Sequence, residues 1–281
     1  MNKWNLVFDV DLCCNCGNCA MAVKDEYVGN AHPGTSAPQP AQGHEWIRVE
    51  RFVRGQQPMV DVSYVPSTCN HCDDAPCVKA GDGAVTKRPD GIVVIDPQRA
   101  RHARHVVASC PYGAIWWNEE EQVPQLWPFD AHLLDRGWTQ PRLTQVCPTG
   151  AAQALHVSDE AMAQIVTERQ LQVLRPELQT RPRVYYRNLR RVQSVFVGGN
   201  VAAQLHDATL CNVEGARVAL EGRGLPGGLV TATDEFGDFR FDGLPAGGGE
   251  VRVAIAHPDF GSAECVTTLE SSRYLGSLTL R

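Results

Sequence analysis

The sequence predicts an α+β fold in two parts, a loop-rich cysteine-bearing domain over residues 1–195 and a small β-sandwich over residues 196–281. Three observations carry this reading. Eight of the eleven cysteines fall into two triplets and two singletons, all before residue 150. Between them lie short stretches of period-two alternation and one capped helix. Past residue 195 the grouped cysteines stop, and short alternating strands with Gly-rich turns take over.

Taken in order, Leu6 to Val10 reads as a strand feeding the first triplet, Cys13-x-x-Cys16-x-x-Cys19. The Gly/Pro/Ser/Gln stretch from Asn30 to Gly43 is loop, and Trp46 to Val53 alternates as a second strand. The second triplet is Cys69-x-x-Cys72-x4-Cys77. Val85 to Ile95 reads as a hairpin turning at Pro89-Asp90-Gly91. Arg99, Arg101, His102, Arg104 and His105 read as a basic, solvated helix. The singletons Cys110 and Cys147 each precede proline, which restricts the chain just past the thiol. Ser158 caps a helix with Asp159 and Glu160 in its first turn. The C-terminal strands are Arg217–Glu221, Val230–Thr233, Asp238–Phe241, Glu250–Ile255 and Tyr274–Leu280.

Three closely spaced thiolates clasp three irons of a cubane, and the fourth ligand must come from a remote Cys-Pro. Three plus one, twice, predicts two 4Fe–4S clusters. Structural zinc prefers paired Cys knuckles, which this spacing fits poorly. Disulfides fit less well, because the triplets are too crowded for mutual pairing. Only Cys13, not its neighbour Cys14, gives the regular first spacing, so Cys14 reads as a buried, reduced thiol. Cys211 and Cys265 also read as buried and reduced. A hydrophobic content of 43%, a charged content of 21% and a net charge of -6 describe a globular chain without a nucleic-acid or anionic-membrane surface. No apolar run approaches the roughly 20 residues of a membrane span. The N-terminus reads as a strand rather than a signal peptide, and the expected location is cytoplasmic, although export with a signal-bearing partner would look the same.

The segments Asn70-His-Cys72-Asp-Asp-Ala-Pro-Cys77-Val, Asp90-Gly-Ile-Val-Val-Ile-Asp-Pro, Cys110-Pro-Tyr-Gly-Ala-Ile-Trp-Trp-Asn-Glu-Glu, Ala131-His-Leu-Leu-Asp and Arg181-Pro-Arg-Val-Tyr-Tyr-Arg-Asn-Leu carry a family resemblance. The first 195 residues resemble the iron–sulfur β subunit of molybdopterin oxidoreductases of the dimethyl-sulfoxide-reductase class. Within that class they are most similar to the small subunits of pyrogallol–phloroglucinol transhydroxylase and resorcinol hydroxylase. The resemblance implies two ferredoxin-like 4Fe–4S modules. Thr233 to Gly247 resembles transthyretin-like and Cna-B-like sandwiches, which serve as spacers or docking surfaces.

The resemblance further implies that one cluster takes Cys13, Cys16, Cys19 and Cys147, and the other Cys69, Cys72, Cys77 and Cys110. Relatives with four clusters carry further cysteines where this chain has Val23, Trp127, Asp130 and Leu143, and where it has Gly81, Ala100, Ala103 and Val106. These losses empty two whole sites and leave no half-built one. Backbone N–H groups of the tight Cys-x-x-Cys turns, including those of Gly17 and Asn18, are expected to bond cluster sulfurs, with His71 shielding a cluster or bonding to sulfur. No catalytic residue is expected on this chain. The chemistry belongs to a large partner subunit holding a molybdenum bis-pterin cofactor, in a heterodimer open to higher assembly. The expected role is hydroxyl transfer, such as pyrogallol to phloroglucinol, or resorcinol hydroxylation. The alternatives are electron transfer for another molybdopterin oxidoreductase, or clusters that serve as structural staples.

Overall fold

The computed structural model describes residues 1–205 and 209–281, which divide into two compact units. One comprises residues 1–51 and 64–189, the other residues 52–63 and 190–281. The expected division at 195/196 therefore shifts, and the hairpin tip at 52–63 groups with the C-terminal unit. Its charges explain why. Arg54 and Asp61 on that tip bond to each other at 2.6 Å, Arg191 reaches Asp61 at 2.5 Å, and Arg54 reaches Asp242 at 3.0 Å.

The first unit is organised around the strand Lys3–Asp9, which is buried along nearly its whole length. It pairs antiparallel with Ala152–Val157 on one side and parallel with Val184–Arg187 on the other. A strand bonded on both edges and covered on both faces carries few polar side chains, as Trp4, Leu6, Val7 and Phe8 show. The helix Asp159–Glu168 covers one face through Met162, Ile165 and Val166 against Val7 and Leu155. Its start follows expectation, with the Ser158 hydroxyl accepting the Ala161 N–H at 3.2 Å. The hairpin Val85–Lys87/Val93–Ile95 also forms, with its apolar residues buried. The basic helix does not. Only His105–Ala108 is helical, because His102 takes a left-handed φ of 64° and the preceding segment turns instead.

The second unit holds two four-stranded sheets. Ser194–Gln204 pairs with Leu210–Asn212, Asp238–Pro245 and Arg273–Leu280 in one; the other runs Leu225–Ala232, Arg217–Gly222, Glu250–His257, Gly261–Thr268. Alternating residues, such as Val251, Val253 and Ile255, share one apolar core with Val197, Val201, Phe239 and Leu280 from the facing sheet. Cys211 and Cys265 are half-buried at its edge rather than inside it, because both lie on outer strands.

Leu220→Ala, at a fully buried position in this core, should cost about 2–5 kcal/mol in denaturant unfolding. Hydrogen bonds from Arg191 and Arg54 hold the Asp61 carboxyl down at about 2, against an ordinary 3.8. A depressed folded-state value means that its stabilisation is complete above pH 4 or so and fades as pH falls toward 2. Asp61→Asn should flatten that part of the acid-unfolding profile; an unchanged profile counts against the network.

Candidate metal centres

Strand register assembles the first quartet of thiols. The Asp9 N–H donates to Ala151 O at 2.8 Å and Phe8 stands opposite Ala152, so the loop after Asp9 meets the one that carries Cys147. Left-handed backbone at Asn15 and Gly17, with φ of 55° and 78°, curls that loop tightly enough to bring Cys13 and Cys16 to one pocket. The helix Asn18–Tyr27 starts at once and carries Cys19. Cys13, Cys16, Cys19 and Cys147 line one pocket with Phe8 and Ala152. Cys14 lines it too, but it is exposed rather than buried. The backbone N–H groups that reach Cys13 and Cys19 belong to Asn15 and Ala20.

The second quartet lies deeper. Cys69, Cys72 and Cys77 are buried, and Cys110 packs against the same apolar core. The loop that bears the first two is stitched to 180–183: Asp73 N–H donates to Arg181 O at 2.9 Å, Asp74 N–H to Thr180 O at 3.0 Å, and Arg183 N–H to Asn70 O at 2.8 Å. The Arg183 guanidinium, 4% exposed, grips both Asp73 oxygens at 2.7 Å and also bonds Asn5 and Asp159. It thereby ties the cysteine loop to the central strand and to the capped helix.

Thiol electrostatics in both quartets fit a cationic centre. Burial pushes Cys19 up to about 11, with Cys13, Cys16 and Cys147 adding repulsion. Burial likewise pushes Cys77 up to about 12, with Cys110 and Cys72 adding to it, and raises Cys69 well above its ordinary value. Four such thiols cannot all ionise together in water-poor surroundings unless positive charge sits among them, which is what bound iron provides. The donor set suits an iron–sulfur cubane.

Donors around the second quartet extend beyond what spacing reveals. Cys69 Sγ takes the His71 N–H at 3.5 Å and Cys110 Sγ takes the Ala114 N–H at 3.4 Å. Cys72 is bonded by the Thr180 hydroxyl, which in turn pairs with Tyr112 at 2.7 Å. Half-buried Lys87 bonds His71 O at 2.8 Å and Asp73 at 3.0 Å, bringing a cation near Cys69. The His71 ring lies against sulfur, with its Nδ1 3.9 Å from Cys69 Sγ. Its Nδ1 accepts the Val93 N–H at 3.0 Å, and burial pushes its value down to about 3, so it stays neutral.

The two groups of cysteine-free positions singled out by the resemblance are occupied mostly by buried side chains. Val23, Trp127, Asp130 and Leu143 are all buried. Asp130 gathers them: it accepts from Tyr27 Oη and Trp127 Nε1, both at 2.9 Å, and from the Arg142 N–H at 2.8 Å. At the other site, Ala100 and Val106 are fully buried, and a Cβ on Gly81 would come within 2.4 Å of Val85.

Asp130→Ala strands two buried side-chain donors and should cost about 3–5 kcal/mol in thermal or chemical unfolding. Thr180→Val removes a hydrogen bond to Cys72 while keeping its shape. It should move the potential of the buried centre to more negative values in redox titration; an unmoved potential would place Thr180 outside the centre's influence.

A family model described as a 4Fe–4S dicluster domain matches residues 60–156, which span the second triplet and both Cys-Pro singletons. The pyrogallol hydroxytransferase small subunit of Pelobacter acidigallici is 40% identical and aligns over 100% of both chains. The arsenate respiratory reductase iron–sulfur subunit of Shewanella sp. strain ANA-3 is 26% identical over 66% of this chain and 95% of its own. A tetrathionate reductase subunit of Salmonella typhimurium is 29% identical over 67% of this chain and 73% of its own. With likeness running from end to end, the chain belongs to the family of the pyrogallol hydroxytransferase small subunit, among the iron–sulfur subunits of molybdopterin oxidoreductases.

Proposed function

We propose that this chain carries two 4Fe–4S clusters, one on Cys13, Cys16, Cys19 and Cys147 and one on Cys69, Cys72, Cys77 and Cys110. It serves a large molybdenum-pterin subunit that acts on polyhydroxylated aromatics, as in the conversion of pyrogallol to phloroglucinol or the hydroxylation of resorcinol. The observation that carries this is the convergence of each triplet with one remote Cys-Pro, in thiol sets whose mutual repulsion opposes ionisation until positive charge sits among them. Bound clusters supply one-electron chemistry. The chain's own side chains bind the irons, exclude water and donate hydrogen bonds to sulfur. On this reading the first unit forms two ferredoxin-like modules, and the second a transthyretin-like or Cna-B-like sandwich for spacing or docking.

The closed positions favour one reaction over the other. Val23, Trp127, Asp130 and Leu143, and likewise Gly81, Ala100, Ala103 and Val106, offer no thiolate. A hydroxyl transfer that keeps its electrons within the substrates suits a subunit without intermediate stations better than an oxidation that must export them. A second reading applies to the deeper quartet alone. Its thiols belong to the apolar core itself, so the Cys69/Cys110 cluster also acts as a staple for a loop-rich module.

The assembled complex should convert pyrogallol without an added electron acceptor; an absolute requirement for one moves the chain to the electron-transfer class. Cys147→Ala and Cys110→Ala should each lower iron to about four atoms per chain, with a different cluster signal lost from the electron paramagnetic resonance spectrum. Cys110→Ala should also lower stability more than Cys147→Ala.

A further inference from the structure

Beside the closed position at Val23, a second donor set has formed that owes nothing to cysteine. Glu26 stands in the last turn of the helix Asn18–Tyr27, His32 in the loop after it, and His132 in the helix Ala131–Leu134. One ligand atom from each lies within 4.8 Å of the other two. We propose that Glu26, His32 and His132 bind one divalent transition ion of the zinc class.

Donor type and geometry both support the ion. Two imidazole nitrogens and one carboxylate oxygen form a donor set typical of zinc, with a fourth position left to water. Bonds of about 2.0–2.1 Å in a tetrahedron place ligand atoms about 3.3 Å apart. Glu26 Oε1 stands 2.7 Å from His132 Nε2 and 3.9 Å from His32 Nε2, bracketing that separation. Small side-chain rotations close the shell.

The surroundings suit a cation as well. Arg142 holds the other Glu26 oxygen at 2.6 Å, orienting Oε1 inward, and Asp25 offsets the Arg142 charge at 2.6 Å. The His32 and His132 rings stack with centroids 3.6 Å apart, an arrangement that two imidazolium ions would oppose. Burial keeps His32 toward its neutral form. Burial alone would raise Glu26, but hydrogen bonds from His132 and Arg142 outweigh it and hold the carboxylate ionised. Ligation needs both of those forms. Hydrogen bonds from His132 Nε2 to Glu26 Oε1 and between His32 Nε2 and Glu26 O account for pairwise contacts of this trio, but not for the stacking of the two rings over one carboxylate. The ion would clasp the loop after Tyr27 to the first helix, in the region where a cluster has been given up.

The test uses the full chain in its complex, purified without oxygen, equilibrated with micromolar Zn2+ and gel-filtered. About one zinc per chain should remain, and zinc-edge X-ray absorption should show nitrogen and oxygen neighbours with imidazole scattering and no sulfur. His32→Ala with His132→Ala should reduce zinc to background while iron content stays unchanged, which separates this site from the cysteine centres. Should that double variant misfold, Glu26→Gln, which preserves shape, decides the matter by losing zinc with its iron intact. No retained zinc, sulfur in the first shell, or full zinc in Glu26→Gln overturns the proposal.

Discussion

Backbone pairing between Lys3–Asp9 and Ala152–Val157 is the constraint on which the first centre depends. It joins two segments separated by half the chain, and it does so in a register that puts the loop after Asp9 beside the loop before Ala152. Closing so long a loop costs little more than closing one half its length, so a few well-made strand bonds suffice. A slip of one residue would turn every side chain of the central strand to the opposite face. Trp4, Leu6, Val7 and Phe8 are buried, so both faces resist that slip. The position of Cys147 is therefore set by core packing far from the thiol itself.

The second centre is held differently. Arg183 closes a short circuit among Asp73, Asn5 and Asp159, and the backbone of 180–183 is sewn to the cysteine loop. The two centres consequently differ in exposure: Cys16 reaches the surface, whereas Cys69, Cys72 and Cys77 lie within an apolar core. An accessible centre suits contact with a partner, and an enclosed one suits holding the module together. The buried Asp130 hub adds a third solution, in which hydrogen bonds and aromatic packing fill the volume around Trp127 without any thiol.

Much of this was legible from residue spacing. The triplets and Cys-Pro pairs declare their chemistry because cubane geometry tolerates few spacings. The hairpin at Pro89-Asp90-Gly91 and the Ser158 cap are local signals, and local signals survive folding. The helix Asn18–Tyr27 was hidden, since left-handed Gly17 precedes it and no side chain caps it. The supposed basic helix failed because charge spacing says nothing of the turn at His102. Tertiary contacts were beyond reach. Thr180 at Cys72, the tautomer of His71, the hairpin tip held by Asp61, and the meeting of Glu26 with His132 all join residues remote in sequence. Resemblance supplied the quartet pairing, which spacing by itself left open.

The central claim is that eight thiols form two complete centres and that no other position retains one. Native mass spectrometry of the chain, isolated without oxygen and kept intact with its iron and sulfide, tests this most directly. The account predicts a mass increment of about two Fe4S4 units over the apo chain. An increment of one or three such units, or of bare metal without sulfide, would contradict it.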